Sequence, residues 1–317
     1  MSIDNYRQAQ TQTASAALAE AAGVGGQAPS VHNNQPWRWR VDGDTLDLHA
    51  EPIRERLASD PDGRTMVLSG GAALHYARIA LAAQGWRAEV DRIPDPDQPR
   101  LLARLRLSGR LAVTRGALQS LHTIRIGNPG QRPVKDTAIA SGDIDAIRVA
   151  VEAEHAWLHA LRPSDVLDLA TVVDQAQRSE AFAPESDPEF AAERREEIAY
   201  WAGELPGSTG HAAAVHAILF GTEDTPSAWL HAGEALGAAW LTATDRGLSV
   251  LPLSAAVEIE TTRAILRRLL VPPGEPFLVL RFGGAGPEQA GPAHTPRLRS
   301  AQVVDVVESP RAVATSW

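Results

Sequence analysis

Residues 68–86 read LSGGAALHYARIALAAQGW, and residues 230–248, half a chain further on, read LHAGEALGAAWLTATDRGL. Small and apolar residues recur in both stretches at helical spacing, and each stretch ends at a glycine, a common residue at left-handed helix ends. The sequence therefore predicts two related, buried helices. Aligned at an offset of 162 (233 − 71), the stretches share six residues: Leu68/Leu230, Gly71/Gly233, Ala73/Ala235, Leu74/Leu236, Ala77/Ala239 and Gly85/Gly247.

A strand-like run follows each predicted helix after a proline-rich break. Residues 101–107 (LLARLRL) alternate between apolar and charged side chains, which predicts a half-buried strand. Residues 277–282 (FLVLRF) are more continuously apolar, which predicts a more buried strand. A weaker match joins residues 37–48 (WRWRVDGDTLDL) to residues 157–169 (WLHALRPSDVLDL), each predicted as a strand, a turn and a second strand. The order of elements thus repeats along the chain.

The repeat predicts an α+β fold built from two related halves, residues 13–116 and 117–308, with tails at residues 1–12 and 309–317. Each half is expected to carry a mixed or antiparallel sheet flanked by helices.

The second half is longer because of an insertion at about residues 173–214, which is rich in Glu, Arg and Ala. Within it, residues 187–201 begin with Asp-Pro and predict one amphipathic helix. Insertions of this size are often lids, so we expect a lid-like segment here.

The composition excludes several classes of function. The chain has 317 residues, and 30 basic against 39 acidic side chains give a net charge of −9, a poor match to nucleic acid. It has no cysteine, which excludes disulfide scaffolds, thiolate nucleophiles and iron–sulfur clusters. The sequence shows neither a signal peptide nor an apolar run of the roughly 18 residues that a membrane span needs. We therefore expect a cytoplasmic protein without nucleic-acid or membrane partners.

The segment APSVHNNQPW, residues 28–37, is the most unusual in the chain, because two prolines enclose a run of mostly hydrogen-bonding side chains. Two interpretations stay open on composition alone. In the first interpretation, the segment is a turn that caps a helix and starts a strand, since Ser and Asn favour such positions. Alternatively, it is a rigid loop that presents amides and a hydroxyl to a planar polar ligand.

The same segment resembles the APSxxNxQPW element of the FMN-dependent nitroreductase family. Further runs resemble the Acg-type branch of that family, in which two nitroreductase units are fused in one chain. They are DPDGR at 60–64, LSGGAAL at 68–74, residues 193–201, residues 253–258 and LRFG at 280–283. The resemblance implies a nitroreductase-like fold in which one chain imitates the FMN-binding homodimer, so that a monomer with an internal pseudo-two-fold is expected. It also implies one composite FMN site, because only the first half has the PS…N loop.

The resemblance assigns roles to individual residues. It places Pro29, Ser30 and Asn33 against the flavin, with Gln35 supporting the loop. The turn at residues 251–255 would offer backbone N–H groups near flavin N5 and O4, and the site residues expected in it are Ser254 and Ala255.

The phosphate end departs from the Acg-type pattern. The branch usually has an RxTNRRPF-like segment, whereas this chain reads IRIGNPGQRPV at 124–134, with Gln131 in place of an arginine. Arg125 and Arg132 remain as candidate phosphate ligands. Near the C-terminus, Arg297 and Arg299 resemble the terminal PR-type segment of the family and would partly compensate, although they are also consistent with a solvated basic pair. FMN is therefore expected to bind, more weakly than in relatives.

Three functions remain open. In the first, the chain is an oxidoreductase whose FMN takes a hydride from NAD(P)H and passes electrons to a planar nitro or quinone-like acceptor, without an obligatory catalytic side chain. Alternatively, the chain stores flavin in an occluded site without turnover, or it is a scaffold that has lost FMN. His155 and His159, four residues apart on a predicted helix, lack a third ligand, so no metal is expected.

Overall fold

The computed structural model describes residues 3–51, 60, 62–126, 134–135, 139–178, 214–258, 260–285 and 297–307. The helices in these ranges are α1 (Ile3–Gly25), α2 (Arg64–Ala83), α3 (Arg115–Ile126), α4 (Ser141–Glu152), α5 (Pro163–Arg178), α6 (Pro226–Asp245), α7 (Ala255–Glu258), α8 (Glu260–Leu269) and α9 (Ser300–Val303). The strands are β1 (Trp37–Asp42), β2 (Thr45–Ala50), β3 (Trp86–Arg92), β4 (Leu101–Arg110), β5 (Val134–Lys135), β6 (Trp157–Ala160), β7 (Val215–Gly221), β8 (Leu248–Leu253), β9 (Glu275–Ala285) and β10 (Val304–Val307).

The strands form two sheets with the same internal order. The first sheet runs β10–β1–β2–β4–β3, and the second runs β6–β7–β9–β8, with β5 also pairing with β9. The β1–β2–β4–β3 and β6–β7–β9–β8 pairings are all antiparallel. The pairing of β10 with β1 is parallel. A strand from the end of the chain therefore completes the sheet that the start of the chain begins.

Helices α2 and α6 lie against each other, α2 within the core of the first sheet and α6 within that of the second. Their closest approach is reciprocal. A β-carbon on Gly71 would lie 2.1 Å from the Leu230 carbonyl oxygen, and one on Gly233 would lie 1.8 Å from the Leu68 carbonyl oxygen. Leu68 of α2 is buried in the core of the second sheet, and Leu230 of α6 in that of the first. The small residues of the repeat therefore serve this close helix contact.

The structure confirms the repeated helices and most of the predicted strands. Gly85 and Gly247, which follow α2 and α6, have φ values of 74° and 71°, as expected for left-handed helix ends. Helix α2 is long and apolar enough to cross a bilayer, but most of it is buried inside the protein, which accounts for its composition.

Two local predictions are wrong. Residues 163–178 form helix α5 and not a second strand, because Pro163 stands at the helix start and the Asp165 carboxylate accepts the Arg162 N–H there. His155 lies in a turn with a φ of 62°, and His159 lies in β6, so the two do not share a helix. The described residues contain no group of three potential metal ligands.

Two further predictions are only partly covered. The expected boundary at residues 116/117 falls in the first turn of α3. Most of the insertion, residues 179–213, lies outside the described residues.

Candidate functional site

The segment at residues 28–37, here called the Pro-bracketed loop, leads from α1 into β1 and has an unusual backbone. Residues Val31–Asn33 form a single 3-10 turn. Asn33 and Gln35 have φ values of 51° and 47°, in the left-handed region that few non-glycine residues adopt. Such strain persists only where the surroundings fix the backbone, and it is frequent in ligand-binding segments.

Hydrogen bonds hold this loop on α2. The Val31 N–H donates to the Ser69 hydroxyl at 3.1 Å, and that hydroxyl donates to the Thr65 carbonyl at 2.7 Å. Within the loop, the Gln35 N–H donates to the Ser30 hydroxyl at 3.0 Å. Because Ser69 is only 1% exposed, the loop is anchored by a buried contact.

The C-terminal segment closes over the loop. The Leu298 N–H donates to Gln35 Oε1 at 2.8 Å. The Arg297 guanidinium donates to Asn33 Oδ1, and its Nε donates to the Gln27 carbonyl at 3.3 Å. The parallel pairing of β10 with β1 brings this segment to the loop, so residues about 264 positions apart form one group.

Arg297 is half-buried and makes no ion pair with any residue that the structure describes. Burial lowers the pKa of its guanidinium, and nearby Tyr76, when ionised, acts in the opposite direction. The Tyr76 hydroxyl is itself buried without a hydrogen-bond partner in the described chain, and burial raises its pKa. A cation that is oriented but not neutralised is the arrangement expected at an anion site.

The turn after β8 belongs to the second half. Ser254 is buried, and its carbonyl accepts the N–H groups of Val257 and Glu258 at 2.9 and 3.1 Å, which starts α7. Val31 of the loop is buried in the same hydrophobic cluster as Leu253 and Val257. The loop and the turn with Ser254 and Ala255 are therefore linked through one hydrophobic cluster to which both halves contribute.

Not every predicted residue joins this group. Arg125 lies at the end of α3, where it pairs with Glu20 of α1 at the surface. Arg299 is exposed at the start of α9, and its backbone N–H donates to Gln302 Oε1 at 3.0 Å. Arg132 lies outside the described residues. Among the candidate phosphate ligands in the described chain, Arg297 is thus the one that contacts the loop.

Sequence reasoning did not single out Ser69, Gln27 or Tyr76. Ser69 had a signal, because a serine within the buried face of an otherwise small and apolar helix needs a hydrogen-bond partner. Gln27 contributes through its backbone carbonyl, for which a sequence pattern gives no signal.

A cleft open to solvent lies beside Leu68 and Val257, two members of the hydrophobic cluster that also contains Val31 and Leu253. Arg64 at its edge lies over the Trp229 ring at 5.4 Å and pairs with Asp224 at 2.6 Å. The apolar part of its wall combines both halves of the chain and consists of Leu68, Trp229, Val257, Pro276 and Phe277.

Comparison with known proteins gives relatives along most of the chain, although no family model matches the sequence. The Mycobacterium tuberculosis protein Rv3131, whose name assigns it as an NAD(P)H nitroreductase, is 32% identical over 309 residues, covering 88% of each chain. The M. tuberculosis protein Acg, named in the same way, is 27% identical over 308 residues, covering 86% of this chain and 90% of its own.

The matching solved structures are more distant in sequence. The nitroreductase NfnB of Mycobacterium smegmatis, described as FMN-dependent and in complex with NADPH, is 13% identical with a TM-score of 0.38, covering 63% of this chain and 98% of its own. A Bacteroides fragilis nitroreductase with bound FMN is 18% identical with a TM-score of 0.38, covering 56% of this chain and 97% of its own.

Proposed function

Because this chain belongs to the NAD(P)H nitroreductase family, and within it to the Acg-type branch, we propose that it is an FMN-dependent oxidoreductase. Its electron donor would be NAD(P)H, and its acceptor a planar small molecule such as a nitro compound or a quinone. The names of the relatives and the fit of this chain's residues to FMN support the proposal.

The uncompensated Arg297 guanidinium is the observation that carries the proposal. Asn33 and Gln27 fix its direction, and no carboxylate in the described chain neutralises it. A phosphate monoester would supply the missing charge, and a hydrogen bond to a charged group contributes about 1.5–3 kcal/mol. The residues present therefore fit the phosphate end of FMN.

The ring would lie where the two halves meet. Pro29, Ser30 and Asn33 of the loop would bind it from the first half, and the backbone of the turn with Ser254 and Ala255 from the second. Fixed backbone donors in a site that excludes water stabilise charge without reorganisation. When bound, FMN supplies the two-electron redox chemistry, so this chain's residues need only bind and orient the partners.

The cleft lined by Leu68 and Val257 is the place we propose for the planar acceptor. Trp229 and Phe277 offer aromatic surfaces. Leu68 and Val257 belong both to the cleft wall and to the hydrophobic cluster that contains Val31 of the loop and Leu253 before the turn. Ligand sites of this kind combine apolar walls with a few polar groups that set orientation.

We also propose that the two halves arose by duplication and that one chain reproduces a two-fold dimer. The equal strand order of the two sheets and the reciprocal contact of Gly71 with Gly233 support this relationship. In a two-fold interface, residue i contacts j and j contacts i.

The test is the visible spectrum of the purified chain, followed by a turnover assay. We expect a yellow protein that releases FMN on boiling and oxidises NADPH or NADH in the presence of a nitroaromatic or a quinone. A colourless protein that does not take up added FMN would refute the proposal. Bound FMN without turnover would favour the flavin-storage alternative over the oxidoreductase.

A further inference from the structure

A buried ion network joins the two halves away from the Pro-bracketed loop. Glu234 of α6 is fully buried and accepts hydrogen bonds from Arg78 Nη1 at 2.6 Å and from Arg92 Nε and Nη2 at 2.6 and 2.9 Å. Arg78 Nη1 also donates to Glu154 at 2.7 Å. Both arginines belong to the first half and both glutamates to the second, so the network crosses the junction with balanced charge.

In the sequence repeat, this network lies next to the counterpart of the contact between Ser69 and the Pro-bracketed loop. The offset of 162 that joins Gly71 to Gly233 also joins Ser69 to His231. Ser69 anchors the loop through the Val31 N–H, whereas the His231 ring contacts the His155 ring edge-on, with 5.1 Å between their centroids. In each half, the same helix position therefore contacts the segment that precedes the first strand.

The backbone of the two segments agrees with this correspondence. The match of Trp37 with Trp157 has an offset of 120 and joins Gln35 to His155. Both Gln35 and His155 have positive φ, at 47° and 62°, two residues before the tryptophan. The second half thus keeps the strained turn but not the polar loop residues.

The chemistry of the two positions differs in one respect. Ala72 on α2 corresponds to Glu234 on α6, so the first half has a methyl group where the second half has a carboxylate. In the first half, Arg297 at the Pro-bracketed loop keeps a charge that no described carboxylate neutralises. In the second half, the Glu154 and Glu234 carboxylates neutralise two guanidinium groups, and Glu234 at the centre of the network is fully buried.

We propose that the ion network of Arg78, Arg92, Glu154 and Glu234 occupies the counterpart of the proposed flavin site, where it clamps the two halves together and prevents a second flavin from binding. The part that concerns flavin rests on the proposed function, whereas the clamp does not. Removing one partner of a buried ion pair leaves a buried charge without compensation, which makes such a clamp sensitive to single substitutions.

A double-mutant cycle tests the clamp. Glu234→Gln keeps the shape of the side chain, Arg92→Met keeps its length, and each is expected to lower Tm by about 5–10 °C. The loss in the double variant should be smaller than the sum of the two, because the pair is removed as a unit. Arg148→Met, which removes an exposed pair with Asp145 on α4, is the control and should change Tm by about 1 °C or less. Additive losses, or losses no larger than that of the control, would overturn the clamp.

The number of flavins per chain tests exclusion. Native mass spectrometry of the wild-type chain with excess FMN should give one flavin per chain, and the Glu234→Gln and Arg92→Met variants should retain FMN within about twofold of wild type. Two flavins per wild-type chain would overturn the proposal while the proposed function stands. No flavin at all would overturn the proposed function, and the clamp would then be decided by the cycle alone.

Discussion

Gly71 and Gly233 face each other where α2 and α6 come closest: a β-carbon on either glycine would lie 2.8 Å from the α-carbon of the other. These two residues also define the register of the sequence repeat. A position that is equivalent in sequence is therefore in contact with its own counterpart in space, as a two-fold arrangement requires.

The glycine contact predicts that Gly71→Ala is strongly destabilising. The new methyl group would meet the backbone of Leu230 and Gly233, which cannot move aside without separating the helices, so we expect a loss of about 3 kcal/mol or more. Urea unfolding measures the loss. Gly142→Ala on α4, where an added β-carbon would meet no packed neighbour within 4 Å, is the matched control and should raise stability by about 0.5 kcal/mol. Equal effects of the two substitutions would contradict the close packing.

Arg297→Met should weaken FMN binding by about 10- to 100-fold, because one charge-assisted contact of about 1.5–3 kcal/mol is lost. Equilibrium titration of the flavin-free protein with FMN measures the change. Arg125→Met removes the same charge from a surface pair with Glu20 and should leave the dissociation constant within about twofold. If the two variants bind FMN equally well, Arg297 is not the phosphate ligand.

Ser69→Ala removes the acceptor of the buried Val31 N–H, and the cost of leaving such a donor unpaired is about 1–3 kcal/mol. We expect lower stability together with weaker FMN binding, since the loop loses its anchor on α2. Thr171 also donates to the carbonyl four residues earlier, at 2.9 Å, but it is exposed. Thr171→Ala should therefore change stability by about 0.5 kcal/mol or less and leave FMN binding unchanged.

The lowered pKa of the Glu154 carboxyl predicts that the protein loses stability in acid. Burial raises the pKa of its carboxyl, but His75 and Arg78 more than offset this and lower the pKa from 4.5 to about 2. The folded state therefore gains stability from the ionised form above pH 4.5, an amount of about 3 kcal/mol that is lost as the pH falls towards 2.

Urea unfolding at successive pH values between 7 and 2 measures whether the free energy of unfolding falls in acid as predicted. The wild-type stability should fall with pH in the lower part of that interval, and Glu154→Gln should be less stable at neutral pH but have a flatter acid limb. An unchanged acid limb in Glu154→Gln would show that the carboxyl titrates at an ordinary pKa.

The local sequence pattern was sufficient for the two central helices, their glycine ends and the strands that follow them. These features depend on periodicity and on backbone preferences that neighbouring residues encode. The same reasoning failed at residues 163–169, where a match to the first half outweighed the helix-start signal of Pro163 and Asp165.

The sequence by itself determined which residues form the paired helices and which loop is unusual. Only the tertiary structure decided that Arg297 reaches Asn33, that Ser69 holds Val31, and that Glu234 is neutralised by Arg78 and Arg92. The physical reason is that periodicity and turn preference act over a few residues, whereas these contacts join positions 38 to 264 residues apart. They form because β10 pairs with β1 and because α2 packs on α6, and the path of the whole chain sets both.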